Sequence, residues 1–323
     1  MSSVSGERFF HSISGGGGSW LAAKVKMKAR PDAEHKFVFT DVLYEDADAY
    51  RFLIEGVANL LDRRLNWSIK AEDFPSYQAD PETPIEAYRG NPEWRAFLSD
   101  LRDRATAAIP ELIWLVDGRD PWEVYRDERF LGNNRIDPCS KFLKRLMFKR
   151  WRNSTCFKQT DVFIVGIGPD EKHRFDDGKG GGIGPRMRGE GWRYEAPLIG
   201  TLEGEIGPFF YLDAAGIARP RLYRLGYMHN NCGGMCCKAG KAHWKNRLLV
   251  QPDRFAYDKM MEQKLIAYLG SDVSMMARVN ASGEKEPLTL ADFETIILSQ
   301  PQASFQFLPG DSGCGCFLDG DEP

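Results

Sequence analysis

The stretch 9–24, FFHSISGGGGSWLAAK, constrains this chain more than any other. An apolar segment runs into Gly15, Gly16, Gly17 and Gly18, Ser19 closes the turn, and the helix-compatible run Trp20-Leu21-Ala22-Ala23-Lys24 follows at once. This order predicts a strand, a tight turn and a helix. Glycines adopt positive φ freely and let a ligand reach the backbone without side-chain clash. The first amides of a helix lack intrahelical acceptors, and the helix dipole favours anions there. Ser14 and Ser19 add hydroxyls, so the expected guest is a phosphate or pyrophosphate. No Gly-Lys-Ser/Thr follows, which excludes a Walker loop. The turn is too short for the dinucleotide fingerprint, and no acidic residue plays the usual role about 20 positions later. The bland alternative is a glycine-rich hairpin or linker.

The next segments repeat the strand–helix alternation. Residues 35–42 have the apolar centre of a buried strand, ending at Thr40 and Asp41. Glu45-Asp46-Ala47-Asp48 opens a helix with acids in its first turn. Tyr50, Leu53, Ile54, Val57 and Leu61 line one face of it. Trp67-Ser68-Ile69-Lys70 predicts a third short strand, which makes βαβαβ by residue 71. Further on, the pattern predicts a helix over 94–108, a strand at 113–116, a helix start at Pro121, and strands at 162–168 and 194–199. Helices are expected over 252–269 and after Thr289. The fold class expected is α/β, a doubly wound and mostly parallel sheet. A nucleotide-binding domain over 1–205 precedes a Cys-rich, mainly helical region over 206–323.

Composition sets the compartment. Hydrophobic residues make up 42% and charged residues 28%, ordinary for a globular protein, and the net charge of −3 supplies no global attraction to nucleic acid. No apolar run approaches the roughly 20 residues of a membrane span, and the N-terminus lacks a signal pattern. A cytoplasmic protein with no membrane partner is expected; a homo-oligomer is compatible. The cysteines number seven, an odd count that argues against a disulfide framework in a reducing compartment. Cys232, Cys236 and Cys237 form one cluster and Cys314 and Cys316 another. Five thiols in two clusters suggest zinc, a [4Fe–4S] cluster or redox-active pairs, and His229 and His243 flank the first group as substitute ligands. Cys139 and Cys156 fit burial as small apolar residues.

Two charged groups complete the set. Lys141, Lys144, Arg145, Lys149, Arg150 and Arg152 fall within one short block, either a phosphate or nucleic-acid contact surface or a solvated helix face. His173 and Arg174 follow the 162–168 strand, where a sheet-edge loop positions them to hold anionic groups. Thr40 and Asp41 end the second strand, where open α/β sheets place ribose or base.

Ser14-Gly15-Gly16-Gly17-Gly18-Ser19 resembles the PP-loop signature Ser-Gly-Gly-x-Asp-Ser of the adenine-nucleotide α-hydrolase fold. The Thr40-Asp41 strand end, Asp117-Gly118-Arg119 before Pro121-Trp122-Glu123-Val124, Asn133-Asn134-Arg135 and Pro138-Cys139-Ser140 with Leu143-Lys144 look like the phosphoadenosine phosphosulfate (PAPS) reductase branch. Asn231-Cys232-Gly233-Gly234-Met235-Cys236-Cys237 is similar to cysteine-bearing extensions in phage and bacterial members. The resemblance implies ATP or a PAPS-like adenine nucleotide with Mg2+ as its escort, and adenylyl activation or sulfonucleotide and sulfur-transfer chemistry. It places Lys144 near the nucleotide, with Cys139 beside it as a catalytic candidate. The alternatives are a thiolating enzyme acting on nucleic acid and a non-catalytic nucleotide or metal sensor. Two places depart from the pattern. Gly18 stands where relatives carry aspartate, and Gly313-Cys314-Gly315-Cys316-Phe317 stands where PAPS reductases carry Glu-Cys-Gly-x-His.

Overall fold

The central strand β1 (Arg8–Ser12) buries Phe9, Phe10 and His11 consecutively, as a strand covered on both faces does. The structure, a computed structural model, describes residues 6–77, 80–133, 136–271, 273–280 and 282–299. The expectations involving Asn134, Arg135, Cys314 and Cys316 lie outside the described residues. After β1 come α1 (Gly17–Ala29), β2 (Glu34–Asp41), α2 (Ala47–Leu60), α3 (Pro92–Ala108), β3 (Leu112–Val116) and α4 (Pro121–Asp127). A π-helical turn, Ser140–Leu146, leads into α5 (Met147–Thr155) and then β4 (Asp161–Ile164). The chain continues through α6 (Lys172–Phe175), α7 (Ile183–Gly189), β5 (Arg193–Glu195), α8 (Leu202–Ile206), α9 (Pro208–Ala214) and α10 (Arg221–Arg224). It ends in α11 (Lys241–Val250), α12 (Pro252–Leu269), an antiparallel hairpin of β6 (Met276–Val279) and β7 (Lys285–Leu288), and α13 (Leu290–Ser299).

The first five strands form one sheet in the order β3-β2-β1-β4-β5, with every pairing parallel. The α/β expectation is met. Strand order runs outward from β1 to β3 and then returns to β4 on the other side of β1. The switch point therefore lies between β1 and β4, where the carboxyl ends of the strands open a crevice.

Capping fixes the helix starts. Asp46 precedes α2 and accepts from the Asp48 amide at 2.9 Å. Asp120 and Glu123 form a reciprocal capping box at α4. Thr289 accepts from the Asp292 amide at 3.1 Å at α13, as its position in the sequence predicts.

Three expectations are corrected. Trp67–Lys70 is not a strand; the neighbour of β2 is β3, which follows α3. Ile69 is nevertheless buried with Leu98 and Trp114, so its apolar spacing reflects packing rather than a ladder. The last sheet strand spans only Arg193–Glu195, and the region after 205 carries a β-hairpin besides its helices.

Residues after 205 pack into the same apolar clusters as those before it. Val42, Tyr44, Trp122 and Leu143 share one cluster with Met235, Trp244, Phe255 and Phe293. A fully buried ion pair, Arg247 Nε to Asp258 Oδ2 at 2.6 Å, sits within that shared core, and the Tyr44 hydroxyl donates to the same aspartate. Arg221 binds both oxygens of Asp46 at 2.8 Å and ties α10 to the start of α2.

Candidate functional site

The glycine turn lies where β1 ends. Gly15 takes φ +74°, a left-handed conformation that glycine adopts without strain. Ser19 Oγ donates to the Gly16 carbonyl at 2.9 Å, and the Ser14 amide donates to Ser19 Oγ at 3.3 Å, so the two serines brace the turn. No side chain caps α1. Residues far along the chain close over the turn. Asn230 Nδ2 donates to the Gly15 carbonyl at 2.8 Å, the Tyr223 hydroxyl stands against Gly16 and the Gly17 amide, and Pro208 packs on Gly17.

Gly18 explains its departure from the aspartate pattern. A Cβ there would lie 3.1 Å from the Gly166 carbonyl oxygen, an acceptor that an added carboxylate would crowd and repel. Gly166, just past β4, is needed for its own reason. A Cβ on it would stand 2.5 Å from the Ser19 backbone nitrogen.

A cavity of about 500 Å³ opens at this edge, within the usual size of small-ligand sites. Ser14, Gly16, Gly18 and Ser19 form one wall, Thr40 near the end of β2 lies on another, and Gly166 follows β4. Lys144, Arg174, Glu45 and Asp170 supply charge, and His229, Asn230 and Asn231 come from beyond α10. The cavity thus occupies the crevice that the strand order dictates.

Lys144 is buried at its floor, 3.6 Å from Glu45 Oε1, and its Nζ donates to Cys232 Sγ at 3.3 Å. Burial raises the Glu45 carboxyl to about 7, although Lys144 pulls it back down. Both ring nitrogens of His229 are buried without a hydrogen-bond partner, as are Oδ1 of Asn230 and Oδ1 of Asn231. Burial, followed by the neighbouring His243, Lys144 and Arg174, depresses His229 to about 3, so its imidazole is neutral. The sequence singled out His229 as a substitute metal ligand; the structure turns it toward the cavity at the glycine turn.

The other expected residues divide. Thr40 lines the cavity. Asp41 does not: it is buried, and its oxygens accept from the Leu43 amide (2.7 Å), the Tyr50 hydroxyl (2.8 Å) and Trp114 Nε1 (3.0 Å). Arg174 faces the cavity and pairs with Glu171, whereas His173 is exposed and outside it. The basic block also splits. Arg152 is buried against Trp192, Tyr194 and Glu190, while Lys141, Lys149 and Arg150 are exposed.

The thiols converge. Cys139, Cys232, Cys236 and Cys237 are all buried in one cluster around Met235 and Leu143. Cys139, which the sequence separates widely from the others, contacts Cys237. Burial pushes the Cys139 thiol up to about 12 although the Cys237 contact opposes it; contact with Cys139, together with burial, holds Cys237 well above the ordinary thiol range. Cys232 takes φ +54°, unusual for a residue with a Cβ, and that conformation aims the segment at Lys144. No helix among the described residues is long and apolar enough to cross a membrane. No family model, curated protein or solved structure matches this chain.

Proposed function

We propose that this chain is a PP-loop-type enzyme that binds ATP or a related adenine nucleotide in the cavity at the β1–β4 switch point. In this reading it uses the nucleotide for adenylyl activation or for sulfur-transfer chemistry. One observation carries the proposal: a glycine turn at the carboxyl end of the central strand opens on a cavity that holds Lys144 and Arg174. Two cations, two serine hydroxyls and an uncapped helix start suit a polyphosphate. Glu45 and Asp170 offer the hard oxygen donors that Mg2+ takes when it accompanies a nucleotide.

The residues have separable tasks in this reading. The turn and Ser14 orient the phosphates. Lys144 and Arg174 neutralise charge that develops on the transferred or leaving group. His229, a neutral imidazole, donates one hydrogen bond and accepts another, and with Asn230 and Asn231 it supplies polar groups that the protein leaves free for a ligand. Cys232, held by Lys144, is the thiol nearest to this machinery.

Calorimetric titration with ATP and with PAPS, alongside an assay for AMP and pyrophosphate, tests the proposal. Saturable binding of either nucleotide that is lost in R174E supports it. Absence of binding by both, with the protein folded, rejects it. Binding without turnover in the presence of acceptor thiols would favour a nucleotide sensor.

A further inference from the structure

The cysteine nest contains a site that does not depend on the nucleotide reading. A carboxylate oxygen of Asp137, Cys139 Sγ and Cys237 Sγ all lie within 4.8 Å of one another, and all three residues are buried. Zinc–sulfur bonds of about 2.3 Å in a tetrahedron place two thiolates about 3.8 Å apart, so this spacing suits a single ion. An iron–sulfur cluster interposes several atoms between its thiolates and asks for a wider nest. Cys236 lies outside that trio but in side-chain contact with Cys237, so its thiol reaches a shared ion only with a shift.

Asp137 gives a second, independent observation. It is only 5% exposed, and its Oδ2 has no hydrogen-bond partner. Its Oδ1 accepts from Cys139 Sγ at 3.0 Å and from the Ser140 amide at 2.8 Å. A buried carboxylate with a bare oxygen beside two thiols is an arrangement that a cation completes. The surroundings hold the ligands in place. The Tyr125 hydroxyl donates to Cys139 Sγ at 3.4 Å, the kind of outer contact that orients a metal ligand. Gly132 lets the loop close on Cys237; a Cβ there would stand 2.6 Å from its sulfur.

We propose that Asp137, Cys139, Cys236 and Cys237 form a site for a single thiophilic divalent ion, zinc by its geometry. The thiols release their protons to solvent as the ion binds, and no electron is transferred. The site joins the segment after α4 to the segment before α11. It leaves out Cys232, which faces Lys144.

The test is elemental analysis of the full chain, with variants C139S, C237S, D137N, G132A and the double variant C314S/C316S. Stoichiometric zinc in the wild type and in the tail double variant is expected. Occupancy should fall by more than about tenfold in C139S and C237S, and also in G132A, which removes no ligand but displaces one. Where a variant fails to fold, the wild type loaded with cobalt gives the answer. Thiolate-to-cobalt charge-transfer absorption with intense tetrahedral d–d bands supports the site, and weak octahedral bands reject it. Wild-type protein without metal, iron with acid-labile sulfide in place of zinc, or full zinc retention in both C139S and C237S would each overturn the proposal.

Discussion

Lys144 Nζ lies 3.3 Å from Cys232 Sγ, across 88 residues of sequence, and the same ammonium is 3.6 Å from Glu45. One buried cation therefore links the cavity at the glycine turn to the thiol nest. Removing it strands Glu45 without its partner. K144M should lose about 3 kcal/mol of stability, as broken buried pairs do, and lose nucleotide binding as well. Adding E45Q should restore most of the stability in urea denaturation without restoring binding. Recovery of binding in K144M/E45Q would show that Lys144 acts on folding alone.

The raised Glu45 carboxyl gives a pH signature. Its value in the folded protein, about 7, exceeds the ordinary 4.5, so the fold favours the protonated acid. That contribution is complete below the unfolded value and is lost as pH rises through about 7. In parallel thermal melts the wild type should lose stability relative to E45Q between pH 5 and 8. Glu262, pushed up to about 7 by burial, acts in the same direction, whereas His229 and His243, held down to about 3 and about 4 by burial, act in the opposite one below pH 6.5. Parallel slopes for the two proteins would remove Glu45 from this role.

His229 separates binding from stability. Its unpartnered ring nitrogens cost the fold more than an apolar side chain of similar shape would. H229L should melt at the wild-type temperature or above it while binding nucleotide about tenfold more weakly, a difference of about 1.4 kcal/mol. Unchanged affinity in a calorimetric titration would show that the imidazole faces no ligand.

The basic block yields opposite outcomes at adjacent positions. Arg152 Nη2 reaches Glu190 at 3.0 Å, and its guanidinium lies over Trp192, so R152A should destabilise the protein by about 1–3 kcal/mol. K149E/R150E alters exposed charges and should change stability by less than about 0.5 kcal/mol. If the chain acts on nucleic acid, that double variant loses salt-dependent binding to an oligonucleotide in fluorescence anisotropy. A wild type that does not bind at low salt ends that alternative.

The strand–turn–helix around Gly15–Gly18 was legible because its signals are local. A run of glycines and a serine after apolar residues leaves few backbone solutions. The helices expected over 94–108 and 252–269 are found at Pro92–Ala108 and Pro252–Leu269, the first starting two residues earlier because Asn91 caps it and Pro92 fits its first turn. Trp67–Lys70 misled because alternating apolar side chains mark burial as well as pairing, and only tertiary packing decides between them. Lys144 and Arg152 share a stretch with exposed cations, and charge alone does not reveal which side chains turn inward. The meeting of Cys139 with Cys237 and the placing of His229 over the turn depend on how the segments beyond α9 fold back, which no local pattern records.

Asn230 reaches the Gly15 carbonyl across 215 residues. During synthesis the glycine bend emerges early and stays uncovered until most of the polypeptide has left the ribosome. Nascent and prematurely terminated chains would therefore carry the bend without its cover. The covered form of the turn therefore arises only near the end of translation.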